Sequence, residues 1–596
     1  MVLVGITVQF TATVSGTTNT AVTWQVNGVP GGNSTVGTIS SDGLYTAPAV
    51  QPNPSTVTIT AVSQADPTKS GSATASIAAF PGTFTYRNDT ARTGQNRQEL
   101  ALTPATVNAT RFGKVFSYPV DGQVYAQPLY VPNVPIPGQG VLNVVYVATE
   151  HDSVYALDAD RRVSAPLWKT SFINPAAGIT PFSSLDVESE DVGPEIGITG
   201  TPVIDPNTKT LYVVASTKEP VPVNPTFVQR LHALDITTGA EKFGGPMVIQ
   251  ASVRGTGAGS DGQGNVPFNS LRQNQRPALL LSRGVVYIAW GAFSDTDPYH
   301  GWVLGYDAAT LRQVAVFNAT PNGTRGGIWQ SGGGLSADSS GNIYAITGNG
   351  TFDQDTEGVS CPIPLVRCDF GDTFLKLSPT GPAGLTLTDF FSPFNQAFLE
   401  EEDLDLGSTA ALLLPDQPGP HPHLVLGGSK EGKLYLVDRD NMGHFRSTDD
   451  NQIVQSFFVS PLGIFSTPAF WENNIYFAGR ADVLKAFRLS GGLFSTTPTS
   501  QSTALFEFPG ATPAVSSNGS TNGIVWALDT NGFAARNPAI LYAFDATDLS
   551  RELYNSNAAG SRDLAGPAVK FTVPTVANGR VYVGTQTELT VYGLLP

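Results

Sequence analysis

Cysteine is almost absent from this chain: two in 596 residues, Cys361 and Cys368, both in one proline-rich loop. That excludes a disulfide framework. Two thiols at this spacing with no neighbouring histidine do not make a zinc ligand set, and with no Cys-x-x-Cys-His there is no covalently attached haem. A local Cys361–Cys368 disulfide is the expected use of the pair, and it implies an oxidising compartment. Charge is also scarce, at 14% of residues, and the balance is acidic at −16. Nucleic acid and anionic membrane surfaces both require a basic face, so neither is expected as a partner. No apolar run is long enough to span a bilayer. Helical periodicity is nearly missing, as are Gly-x-Ser-x-Gly, His-Glu-x-x-His and a phosphate-cradling glycine loop.

What remains is repetition. Tyr146-Val147-Ala148 is followed by Tyr155-Ala156-Leu157-Asp158, Tyr212-Val213-Val214 by Leu231-His232-Ala233-Leu234-Asp235, and Tyr287-Ile288-Ala289 by Leu304-Gly305-Tyr306-Asp307. Weaker copies centre on Tyr344, Leu424–Leu426, Tyr476, Ile524–Trp526 and Tyr582. Steps such as Gln127-Pro128, Thr201-Pro202, Thr467-Pro468 and Thr512-Pro513 open the first strand of several units. Alternating apolar positions with 62 glycines and 44 prolines describe short strands and tight turns. Recurring strand-type units mean small sheets arranged radially. The expected fold is all-β, with an eight-bladed β-propeller; seven blades is the alternative. The last unit runs out of chain after three strands. Phe112–Pro119, which precedes the first unit, is expected to complete it and close the ring.

Residues 1–80 have a different texture, rich in Thr, Ser, Val and Ala. The run Val22-Thr23-Trp24-Gln25-Val26-Asn27-Gly28 and the later Gly37-Thr38-Ile39-Ser40-Ser41-Asp42-Gly43-Leu44-Tyr45-Thr46-Ala47-Pro48 resemble bacterial Ig-like domains. The resemblance implies a β-sandwich around Trp24, serving as a spacer. The chain opens inside a strand, so a leader is expected to have been removed or left out.

Residues 81–596 resemble the quinoprotein-type, PQQ-binding-like propellers. The stretch Val144–Asp160 (VVYVATEHDSVYALDAD) and the lead-in Thr85–Val107 (TYRNDTARTGQNRQELALTPATV) carry the likeness. It implies a propeller whose ligand sits at the mouth of the axis, with PQQ and Ca²⁺ as the cofactors of the enzymatic members. Two departures stand out: there is no adjacent cysteine pair, and no local motif matches the family's calcium ligands.

Several polar segments are candidates for the site. Lys218 suits an anionic or quinone oxygen, and Arg276 in Asn274-Gln275-Arg276-Pro277 suits a carboxylate. Trp302 and Trp329 offer stacking faces. Glu188, Glu190 and Glu195 in the acidic run after Asp186, with Asp353, offer hard oxygens for Ca²⁺; solvated acidic loops are the alternative. Gly428–Lys433 reads as a charged turn. Two functions are open. One is a secreted, periplasmic or cell-surface bacterial protein whose propeller binds a glycan, peptide or protein partner, displayed through the Ig-like spacer. The other is a PQQ- and Ca²⁺-dependent dehydrogenase oxidising an alcohol or sugar, with a carboxylate as base.

Overall fold

The computed structural model describes the chain except residues 1, 4–6, 49–51, 53, 79–81, 221–225, 354–367 and 380–383. The chain divides into two compact units, Met1–Gly82 and Thr83–Pro596. The first holds two small sheets. One contains Val22–Val26, Thr56–Ser63 and Ser70–Ala78, and the other contains Leu44–Thr46 and Gly37–Ile39. Thr56–Ser63 alternates strictly between exposed or half-buried and buried positions, the period-2 pattern of a strand with one face in a core. That core holds Trp24, Val26, Tyr45, Ile59 and Ile77.

Among the described residues, the second unit contains eight sheets of four or more strands. Their inner strands begin at Leu129, Val203, Leu280, Ser336, Leu412, Ala469, Ala514 and Thr575. Alternation along each strand serves two neighbours. In Val285–Ala292, Val286, Ile288 and Trp290 face the core shared with the preceding sheet, while Tyr287 and Ala289 face the core shared with the following one.

The repeated tyrosine has a specific task. Tyr146 donates to the carbonyl of Ile236, Tyr212 to that of Ala308 and Tyr476 to that of Ala546. In each case the acceptor directly follows the aspartate of the next sheet's repeat. Tyr582 of the last sheet donates to Ala159 of the first, so the same bond closes the ring. Phe112–Pro119 pairs antiparallel with Glu588–Leu594 and supplies the fourth strand of the last sheet, as its sequence position requires. Tyr146→Phe is expected to cost about 1 kcal/mol, the net worth of one buried hydrogen bond, measured by denaturant unfolding.

The lead-in does more than approach the first sheet. It crosses one end of the axis and bonds to all eight sheets. Tyr130 and Ile204 donate to the carbonyls of Thr83 and Phe84; Ala337, Leu413, Phe470 and Val515 donate to those of Thr90, Ala91, Thr93 and Gly94. Arg92 donates to Leu279 and Asn96 to Val576. Two guanidiniums anchor it, with Arg87 and Arg92 1% and 0% exposed. Arg87 donates to the carbonyls of Pro513, Pro468 and Arg92. Arg92 donates to those of Leu335, Tyr86 and Leu279 and to the Thr85 hydroxyl. Glycine is required at position 94, where φ is +72° and a Cβ would lie 2.4 Å from Arg87 Nη2.

Candidate functional site

The inner strands run from this plug to a cavity at the other end. Arg276 precedes Leu279, Ser331 precedes Leu335, Ser408 precedes Leu413, Phe465 precedes Phe470, Phe508 precedes Val515 and Phe571 precedes Val576. In each pair the first residue lines the cavity and the second meets the lead-in. The axis is therefore a funnel with a closed floor. The cavity has a volume of about 300 Å³ and is also lined by Asp191, Asp295, Trp329, Asp405 and Lys430.

One wall is cationic and aromatic. The Arg276 guanidinium lies 4.1 Å from the centre of the Phe571 ring, and its Nη1 is 3.4 Å from Asp191 Oδ2. Lys570 Nζ is 2.5 Å from Asp191 Oδ1. Burial works to raise the Asp191 carboxyl, but Arg276 and then Lys570 outweigh it and hold its pKa low. Burial lowers the Lys570 ammonium, opposed by Asp191.

The facing wall centres on Asp405. Its Oδ2 is 2.7 Å from Lys430 Nζ, and its Oδ1 accepts the Asn349 backbone N–H at 2.7 Å. Lys430 also meets Asp403 at 2.9 Å. Burial would lower the Lys430 pKa; Asp405 and Asp403 more than offset it, so the ammonium is stabilised. Gly348 makes this corner possible: a Cβ there would sit 2.2 Å from Asp405 Oδ1 and 2.8 Å from the Trp329 ring. Trp329 is fixed by donating Nε1–H to Ala292 at 2.9 Å and by the edge of Tyr299, 5.7 Å away. Tyr299 in turn donates to Asp295 at 2.5 Å. Burial raises the Asp295 pKa, Asp405 adds to the rise, and the Tyr299 bond opposes it. Besides Asp191, two carboxylates line the cavity with different partners: Asp405 is paired directly with the Lys430 ammonium, and Asp295 accepts from the Tyr299 hydroxyl. Gln330 and Ser331, beside Trp329, both have positive φ, +49° and +51°, a strain of the kind that collects at functional sites.

Of the residues expected from sequence, Arg276 and Trp329 line the cavity. Lys218 and Trp302 do not. Lys218 is paired with Asp186 at 2.5 Å, and Trp302 is fully buried in the core between the second and third sheets. The expected calcium ligands stand apart from one another. Glu188 meets Arg272, Glu195 meets His151, Asp353 accepts the Asp369 N–H, and Glu190 is exposed. Among the described residues, no three of His, Cys, Asp and Glu converge as a metal set. Cys361 lies outside the described residues, so its pairing does too; Cys368 is buried beside Phe352 and Phe370. Asp191, from the same acidic run, is the one that reaches the cavity. Asp405, Lys430, Lys570 and the three phenylalanines are lining or supporting residues that sequence reading missed. Their signal is position: Phe465 and Phe571 stand three residues before Pro468 and Pro574, the prolines that open inner strands.

A second cavity of about 400 Å³, lined by Phe227, Phe268 and His300, lacks convergent charge. Both nitrogens of His300 are engaged, by Thr320 and Ala258.

Glu150, in the turn after the first Tyr-Val strand, is 1% exposed. Its Oε2 accepts from Gly197 and Thr199, and its Oε1 has no hydrogen-bond partner among the described residues. Burial pushes its pKa up from 4.5 to about 7, against weaker pulls from those bonds and Arg276. A raised folded-state pKa favours the protonated native form. The associated stability is complete below the usual 4.5 and is lost as pH rises through about 7. Glu150→Gln is therefore expected to stabilise the protein by up to about 3 kcal/mol at alkaline pH and to change little in acid, as read from melting curves across pH.

No family model matches the chain, and no curated protein matches it in sequence. Its fold does match solved structures. The quinohemoprotein alcohol dehydrogenase of Comamonas testosteroni aligns over 86% of this chain and 80% of its own, at 14% identity and a TM-score of 0.55. The alcohol dehydrogenase ADHIIG of Pseudomonas putida HK5 does so over 86% and 80%, at 12% and 0.54. A europium-containing methanol dehydrogenase aligns over 86% and 98%, at 13% and 0.56. At these identities the likeness establishes the fold alone: a β-propeller.

Proposed function

We propose that the axial cavity binds a flat, polyanionic quinone of the PQQ class and that the chain is a dehydrogenase oxidising an alcohol or sugar. In this reading the eight sheets are the blades of the ring, the first unit is an Ig-like spacer, and the protein works outside the cytoplasm. The carrying observation is the convergence of Arg276 and Lys430 with the rings of Trp329 and Phe571 around one closed-floored cavity, with Lys570 paired to its Asp191. A tricarboxylate ring system needs cations at its edge and an aromatic surface beneath it. Arg276 would take a carboxylate in exchange for its long contact to Asp191, and Trp329, held by Ala292 and Tyr299, would stack. The bound quinone supplies the two-electron oxidant. Asp405 accepts the substrate's hydroxyl proton, held in place by Lys430 and by the Asn349 N–H. The plug closes the far end, so solvent and substrate share one mouth.

A place for Ca²⁺ is less fully formed. Asn349 Oδ1 and Asp372 Oδ2, close to Asp405, are buried oxygens without a hydrogen-bond partner among the described residues, and these would take a hard cation. The test is dye-linked oxidation after incubation with PQQ and Ca²⁺, across alcohols and sugars. Substrate-dependent dye reduction supports the assignment. Quinone binding without reduction of dye by any substrate counts against it.

One observation favours a second reading. Each cation of the cavity already has a carboxylate partner, and Phe465, Phe508 and Phe571 offer further ring faces. A neutral glycan end would suit that lining, and the protein would then be a binding module.

A further inference from the structure

A surface patch beside the cavity mouth is apolar where it should not be. Phe394, Phe398, Phe458 and Leu462 are 42%, 50%, 64% and 54% exposed. They are neighbours in the fold. Lys433 Nζ lies 5.9 Å from the Phe394 ring and 5.8 Å from the Phe458 ring. Phe398 rides on the short helix Gln396–Glu401 that follows Phe394. Leu462 sits in the loop whose ends pack on the Ser429–Gly432 turn, where Val459 donates to Gly432 and Ile464 to Ser429. Lys430 itself lines the cavity, so the patch borders the mouth.

Large exposed rings grouped this closely mark contact surfaces. The surrounding charge names the partner's sign. Glu401 ends the helix, Glu402 and Asp403 follow it, and all three are exposed, the Asp403 side chain by 66%. Lys433, beneath the rings, is only 12% exposed and faces Asp450 at 3.6 Å. An apolar centre with an acidic rim is complementary to a basic protein that carries its own apolar contact.

We infer that this face, centred on Phe458 and Phe398 and rimmed by Glu401–Asp403, docks a basic protein partner across the mouth of the cavity. The inference does not rest on the quinone reading, and its test needs no cofactor. Surface plasmon resonance with the full chain, using a small lysine-rich globular protein and an acidic one of similar size as probes, measures it directly. The basic probe is expected to bind, and to weaken as salt rises, because the rim charges are solvent-exposed. Phe458→Ser with Phe398→Ser should weaken binding about tenfold or more. Glu401→Lys with Glu402→Lys should weaken it and flatten its salt dependence. Circular dichroism melts confirm that the variants fold. Equal binding of the acidic probe, no binding of the basic one, or indifference to both double variants overturns the proposal. So does concentration-dependent self-association that the phenylalanine variants abolish, since that would assign the face to a second copy of the chain.

Discussion

Arg92→Ala is expected to cost the propeller unit more than about 4 kcal/mol, placing it among the rare severe point mutations. Arg92 is fully buried and donates to three carbonyls and a hydroxyl drawn from the third sheet, the fourth sheet and the lead-in itself. Truncation leaves those acceptors buried without a donor, at roughly 1–3 kcal/mol each before relaxation, and opens a void at the axis. Against a total stability of about 5–15 kcal/mol this is a large share. Lysine does not rescue it, because a single ammonium cannot reproduce the planar fork. Arg97→Ala, by contrast, removes an exposed pair with Glu472 and should fall within about 0.5 kcal/mol of wild type. Denaturant unfolding followed by near-ultraviolet circular dichroism reads all three. Near-wild-type stability of Arg92→Ala would show that the lead-in is an accessory rather than part of the propeller's core.

That expectation was not legible in the sequence, although the fold was. The Tyr-Val strands repeat because each sheet must present period-2 apolar faces to two neighbours, and that constraint is local enough to read by eye. Ring closure by Phe112–Pro119 followed from counting strands. The lead-in has no periodicity to read; its order comes from bonds to carbonyls hundreds of residues away, such as Arg87 to Pro513. The site divides in the same way. Arg276 and Trp329 were visible because they stand at inner-strand starts in polar company. Lys430 looked like a turn residue, and Asp405 sat in an acidic run without a motif, because what makes them a pair is the packing of two consecutive sheets. Lys218 misled for the opposite reason: a lysine at the end of a strand is conspicuous, yet its register points it at Asp186.

Asp405→Asn is expected to lower dye-linked turnover about a thousandfold, within the range ascribed to a positioned general base, while leaving quinone affinity largely intact. Asparagine keeps the shape and the bond from the Asn349 N–H, but it cannot take a proton and no longer neutralises Lys430. Asp295→Asn should act more mildly, because burial and Asp405 already favour the protonated form of Asp295. A turnover loss confined to Asp295→Asn would move the base to the other wall of the cavity.

The most direct test of the central claim is an absorbance titration of the purified full chain with PQQ, with and without Ca²⁺, paired with Arg276→Ala. Saturable one-to-one binding, weakened about tenfold or more by Arg276→Ala, is the predicted result. Absence of saturable binding under both conditions, or affinity unchanged by the loss of Arg276, would contradict it.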